Sequence, residues 1–242
     1  MRASEWRYAS SSHSSVDLEL CMYRLLHIKV QLVAGCLTII NTLRTENVRG
    51  LLKTLTEAGN SKVTESLKKI QLGGLDSPTA QTIAAELEGT KAASCNLGES
   101  ASAKKYPGLV IPFAHDADFD CAALIQETYT AGLSPLKQSN FDPSSGTYDN
   151  TQAPFDNVAA SNVAFILSAK STKVSCAATK DCEAGHDVLF CYFIEPLQAG
   201  DKPFTAELYN ALWGLETGAA SISAPSVVTA LSPAAVIILV HI

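Results

Sequence analysis

The order of hydrophobic patterns predicts an α+β fold, with helical periodicities first, strand-like runs later and one short helix at the end. Three observations carry this. Apolar residues recur at 36, 39, 40, 43, 48, 51, 52 and 55, the spacing of a helix face. Val174-Ser175-Cys176-Ala177 alternates, as a half-buried strand does. Val188 to Ile194 is apolar throughout, as a strand buried on both faces would be. No internal repeat is visible, and 242 residues suffice for one core plus processed ends.

Val30, Leu32 and Ala34 alternate and predict an extended lead-in to the first helix. That helix starts at Cys36, keeps Arg44, Glu46 and Arg49 on its wet side, and is ended by Gly59-Asn60-Ser61. A second helix fits Val63 to Leu72 before Gly73-Gly74. Ser77-Pro78 supplies a cap and an N-terminal proline for a third, which turns Ile83 and Leu87 inward and runs toward Cys95. Residues 98–114 read as loop. A fourth helix fits Asp118 to Leu133, capped by Asp118, with Cys121, Leu124, Ile125 and Tyr129 on one face. Ser134 to Pro154, rich in Ser, Pro, Asp, Asn and Gly, reads as a long wet surface loop. Val163 to Leu167 is a continuous apolar run and reads as a strand, like the two that follow it. Thr205 then caps a last helix, and Phe204 is placed to staple onto Tyr209.

The chain is 47% hydrophobic and only 17% charged, with net charge −6. No basic stripe with interleaved aromatics occurs, which excludes the usual nucleic-acid footprint. Lys68-Lys69 and Lys104-Lys105 are isolated pairs on solvated faces. The seven cysteines are Cys21, Cys36, Cys95, Cys121, Cys176, Cys182 and Cys191. None makes a C-x-x-C pair and no histidine lies at ligand spacing beside them, so a zinc site is not supported and no metal or cofactor is expected. In an exported protein an even set is a disulfide framework, each bridge contributing about 2–4 kcal/mol. Cys176 and Cys182 flank a tight turn and Cys191 enters the next strand, an arrangement that pins neighbouring strands.

The C-terminal end carries the strongest processing signal. Small residues Gly218-Ala219-Ala220-Ser221 precede a weakly polar spacer to Ser226, then an apolar tail from Val227 to Ile242. This is the pattern of a glycosylphosphatidylinositol (GPI) attachment signal, with Gly218 the expected attachment residue and Ala219 or Ser221 the alternatives. Pro225 and Pro233 oppose a regular buried helix, and the run after Pro233 is shorter than the roughly 20 residues a membrane span needs. At the other end Arg2, Glu5, Arg7, Asp17 and Glu19 interrupt any apolar centre of a signal peptide. Residues 1–28, which hold Cys21, are therefore expected to be leader or otherwise outside the mature protein.

Little points to catalysis. His115-Asp116-Ala117-Asp118 could be an acid/base or metal cluster, but acids there suit a helix N-terminus. His186 falls in a turn and is expected to be exposed. A hydrolase using His115 or His186 is the weakest reading, since no nucleophile elbow, zincin, Walker or dinucleotide motif occurs.

Several pieces carry a resemblance in their order and spacing. They are Cys36-Leu-Thr-Ile-Ile-Asn41-Thr-Leu-Arg44, Cys121 opening a helix, Thr147-Tyr148-Asp149-Asn150, the Cys176, Cys182, Cys191 block, and Lys202-Pro203-Phe204-Thr205-Ala206-Glu207. Over roughly Cys36 to Gly218 the chain resembles the GPI-anchored surface antigens of Eimeria-type coccidian parasites. That family resembles the CAP superfamily of cysteine-rich secretory proteins, antigen 5 and pathogenesis-related proteins. The resemblance implies a disulfide-stapled three-layer α-β-α sandwich with an antiparallel central sheet, formed by residues 29–217, with 218–242 removed. It also implies six paired cysteines, Cys36, Cys95, Cys121, Cys176, Cys182 and Cys191. CAP proteins with a metal pocket carry histidine just before the helix-one asparagine; here Ile40 precedes Asn41 and cannot ligate a metal. The function so implied is non-enzymatic display on the outer leaflet of the plasma membrane, with host cells or host immune receptors as partners in attachment or immune modulation. The alternative is a secreted CAP-like module that binds a sterol or fatty acid.

Overall fold

A computed structural model describes residues 35–46, 48–71, 77–88, 104–115, 118–180 and 185–214. In chain order the elements are α1 (35–45), β1 (Thr56–Glu57), α2 (Asn60–Lys69), α3 (Ala80–Glu88), β2 (Leu109–Ala114), α4 (Cys121–Gln138), α5 (Val158–Leu167), β3 (Lys173–Ala178), β4 (His186–Phe193) and α6 (Ala206–Leu212). The α+β class is as expected. The four strands form one sheet in the order β1-β3-β4-β2.

The sheet is mixed, which corrects the expected antiparallel one. β3 and β2 both run antiparallel to β4, but β1 pairs parallel to β3. A parallel partner must arrive by a long connection rather than a hairpin, and four helices and β2 lie between β1 and β3 in the chain. Neither β1 nor β2 is expected from the pattern. β1 is two residues long, and β2 contains Pro112, which is admissible only because β2 lies at the sheet edge.

Alternation along the strands divides the core. Leu109, Ile111, Phe113, Val174, Cys176, Leu189, Cys191 and Phe193 pack with α1, α4, α5 and α6. Val110, Val188, Phe190 and Tyr192 pack with α2, α3 and Tyr106. Both faces of the sheet therefore carry helices, which is why β4 is buried from Asp187 to Phe193. Burying each such aromatic contributes about 1.5–3 kcal/mol.

Several boundaries differ from expectation. α1 ends at residue 45 rather than near 59, because Arg49 and Gly50 take positive φ values of 55° and 72°. Val48, Leu52 and Leu55 still reach the core from the turn that follows. Gly59, expected to end a helix, sits instead at the cap position of α2. α3 starts at Ala80, where Thr79 and Thr82 cap reciprocally: Thr82 N donates to Thr79 Oγ1 (3.2 Å) and Thr79 N to Thr82 Oγ1 (2.8 Å). Asp120, not Asp118, caps α4, accepting from Ala122 N and Ala123 N.

α4 also runs through Ser134 and Pro135 to Gln138, into the segment expected to be loop. Pro135 removes a helical donor at a cost of about 3 kcal/mol, which is offset by complete burial of Leu136. The remaining segment, 139–157, is less wet than expected: Tyr148 and Phe155 are buried, and Phe141 touches Phe155, Phe204 and Tyr209. Residues 163–167 belong to α5, not to a strand. Every residue from Ala160 to Leu167 is buried, and a short uniformly apolar run has no period to separate helix from strand.

α4 and α5 cross at Gly132, where an added Cβ would lie 2.2 Å from the Ala159 carbonyl oxygen. Gly132→Ala is therefore expected to lower stability by about 2–3 kcal/mol, although alanine is the better helix former by about 1 kcal/mol. A thermal melt should show the midpoint lowered by roughly 5–10 °C. An unchanged or raised midpoint would mean that the two helices separate freely.

Candidate functional site

What the sequence builds most deliberately is a cross-linked frame. Cys36, in the first turn of α1, bonds Cys121, the first residue of α4; their Cα atoms are 5.2 Å apart and 85 residues separate them. Cys176 bonds Cys191 across β3 and β4, where the two face each other with Cα atoms 4.0 Å apart. That is a non-hydrogen-bonded pair of the ladder, the closer of the two kinds. Cys95 and Cys182, the other members of the expected six, lie outside the described residues, as do Cys21, the 30–34 lead-in, residues 1–28 and the whole 218–242 segment with Gly218, Ala219 and Ser221.

Polar clamps tie the frame to the sheet. Arg44 is 1% exposed and has no carboxylate partner among the described residues. Its Nη1 donates to the carbonyls of Ile166 (2.5 Å) and Ser168 (2.9 Å), and its Nε to Lys53 (3.1 Å). The guanidinium thus closes the C-terminal end of α5, where unsatisfied carbonyls favour a cation. Burial lowers it to about 10, so it remains charged at neutral pH. Asn41 exchanges two bonds with the Leu55 backbone. Asn162 does the same for β2, accepting from Val110 N (3.0 Å) and donating to Val110 O (2.9 Å), which occupies the outward groups of that edge strand. No sequence signal pointed to Arg44 or Asn162, because the partners that tie them to the frame are distant: Ile166 and Ser168 lie 122 and 124 residues from Arg44, and Val110 lies 52 from Asn162.

Buried hydroxyls are also paired. Tyr192 bonds Ser66 (2.9 Å), and burial raises its phenol to about 12. Tyr148 bonds Ser161 (2.7 Å), and Tyr209 donates to Leu136 O (3.2 Å). Thr205 caps α6 through Leu208 N (3.1 Å), and Phe204 stands against Tyr209 with ring centres 5.8 Å apart, as expected. On the surface, bonds from the Ser145 and Ser144 hydroxyls and the Ser144 amide hold the exposed Asp142 carboxylate down to about 2.

The two histidines among the described residues, His115 and His186, lie near one another. β2–β4 pairing sets His186 opposite Ala114, and His115 N donates to Gly185 O, so both lie at one end of the sheet and both are exposed. Among the described residues no three His, Cys, Asp or Glu side chains are placed to hold a metal. Ile40 is fully buried. Asp187 is buried, and its Oδ1 finds no hydrogen-bond partner among the described residues. A cavity of about 350 Å³ opens beside β3, and its wall mixes Glu57, Asn60, Gln81 and Ser175 with Phe119 and Leu189. Among the described residues no helix is long and apolar enough to cross a membrane.

No protein-family profile and no curated protein matches the chain. A solved structure does: the Eimeria tenella surface antigen protein SAG19 is 66% identical, with a TM-score of 0.71, over 75% of this chain and 94% of that one. At that identity and coverage, with the cross-linked α+β frame in place, the chain belongs to the coccidian surface antigen family.

Proposed function

We propose that the chain is a non-enzymatic antigen displayed on the outer leaflet of the plasma membrane through a GPI lipid joined at Gly218. The observation that carries this reading is its 66% identity to a parasite surface antigen. The two bridges support an oxidising, extracellular setting, since such bonds do not persist in the cytosol. Helices on both faces of the sheet, and two of the expected six cysteines' bridges, support a CAP-like α-β-α arrangement. In this reading Cys95 pairs with Cys182, and the domain works by lasting at the host interface, where host cells or immune receptors meet it.

Treatment of parasites with phosphatidylinositol-specific phospholipase is expected to release the antigen. Mass spectrometry of the unreduced product should end near Gly218 and show Cys95 joined to Cys182. A released chain that still carried residues 222–242, or thiols at those two cysteines, would defeat the reading.

A further inference from the structure

A second cavity, of about 240 Å³, opens where the chain enters β2 through Lys104, Lys105 and Gly108. Tyr148 and the α5 residue Ser161, both buried, form its inner wall, and the turn at Leu197 and Gln198 closes another side. Ile70, which follows Lys68 and Lys69 at the end of α2, also lines it. The two lysine pairs of a chain with net charge −6 thus come to one opening.

Among the described residues no carboxylate lines this cavity. The carboxylates beside it are engaged elsewhere. Glu86 takes the Lys105 ammonium and the Tyr106 hydroxyl. Asp149 accepts from the amide (2.8 Å) and hydroxyl (2.7 Å) of Thr151. Asp201 Oδ2 accepts from Lys170 (2.6 Å) and from Gln198 N (2.8 Å). Lys104 is half-buried, and neither it nor Lys68 nor Lys69 has an ion-pair partner among the described residues. An anion held at a partly desolvated ammonium gains more than one in open water.

The other polar groups suit a polyol. The Tyr148 and Ser161 hydroxyls bond each other at 2.7 Å. That bond uses one hydroxyl proton, and the other has no acceptor among the described residues. Asn150 keeps its side-chain oxygen free, because only its nitrogen is engaged, at 3.4 Å from Lys104 O. The exposed Gln198 contributes a second amide. The walls are already in place: Tyr148 N donates to Asp201 O (2.7 Å) and Gly200 N to Tyr148 O (2.9 Å), which hold the 198–201 turn against Tyr148.

We propose that this cavity binds an anionic sugar, a ring bearing a sulfate or a carboxylate. The anionic group meets Lys104, and Lys68 and Lys69 add to the positive potential at the mouth. Ring hydroxyls bond Asn150, Gln198 and the spare proton of the Tyr148–Ser161 pair, while Val158 and Leu197 give the ring an apolar face to rest on. The volume lies below the usual range of ligand pockets, roughly 300–1,000 Å³, so the site takes one terminal ring and leaves the rest of a glycan outside. A bare anion leaves the hydroxyl and amide groups unused, and a neutral sugar leaves Lys104 unmatched. The inference rests on the display reading for its setting, since a surface protein meets such sugars on a neighbouring cell.

The test is a binding titration followed by saturation-transfer magnetic resonance on the full oxidised chain at physiological salt. Its probes are sialyllactose, sulfated lactose and plain lactose, with inorganic sulfate and acetate as bare anions. At least one acidic sugar should bind at least tenfold more tightly than lactose and than its bare anion, and which one does so names the anionic group. Lys104→Gln should weaken that binding at least tenfold and leave the thermal midpoint unchanged. Lys180→Gln removes the same charge beside Phe119, at the opposite end of the sheet, and should bind like the parent. Four results would each overturn the proposal: no binding of either acidic sugar, lactose binding as tightly as both, a bare anion binding as tightly as its sugar, or equal losses in the two lysine variants. None of these touches the display reading, which release by phospholipase tests independently.

Discussion

Removing the bridge between Cys36 and Cys121 by the double change Cys36→Ala, Cys121→Ala is expected to cost about 4–5 kcal/mol of unfolding free energy. The bond closes a segment of 85 residues, and the entropy it withholds from the unfolded chain grows with the logarithm of that length. Both half-cystines are buried, at 1% and 5% exposure, in the cluster that α1 and α4 share with the sheet. Their loss also leaves small voids. The Cys176–Cys191 bond spans only 15 residues and joins strands already paired by their ladder, so the matching double change should cost about 3 kcal/mol. Urea unfolding of the oxidised variants checks the order of the two. An equal or larger loss for the shorter loop would show that strand geometry, rather than chain entropy, sets the contribution.

Arg44→Met is expected to cost about 3–4 kcal/mol, because a buried carbonyl left without a donor costs about 1–3 kcal/mol and three share this guanidinium. Methionine fills much of the volume, so the effect reports the hydrogen bonds and the helix-end charge rather than a cavity. Arg44→Lys restores the charge but not the fork that reaches Lys53, Ile166 and Ser168 together, and should recover less than half of the loss. The measurement is the denaturation midpoint of the three proteins at neutral pH, where the native guanidinium is charged. A Met variant as stable as the parent would show that the carbonyls find other donors.

What could be read from the amino acids follows the range of the forces concerned. Thr205 and the inward faces of α3 and α4 were legible because caps and helical periods act within four residues. β3 was legible for the same reason at period two, and β4 as an unbroken apolar run. α5 was not, since a segment buried on every side shows no polar face to reveal its period. β2 was hidden by Gly108 and Pro112, and its edge position is a property of the whole sheet. The cysteines announced a framework by their number, yet the partner of Cys36 is fixed only when α1 and α4 meet. Arg44 looked like a solvated residue on a helix face. Nothing within ten residues shows that the end of α5 will close over it.

The placement of the bridges bears on how this protein would survive digestive enzymes. Hydrolysis of any single peptide bond between residues 36 and 121 leaves two pieces that remain one molecule, because the 36–121 link spans the cut. The same holds for a cut between residues 176 and 191. A clipped molecule would keep its shape for an antibody and reveal the damage only when reduced.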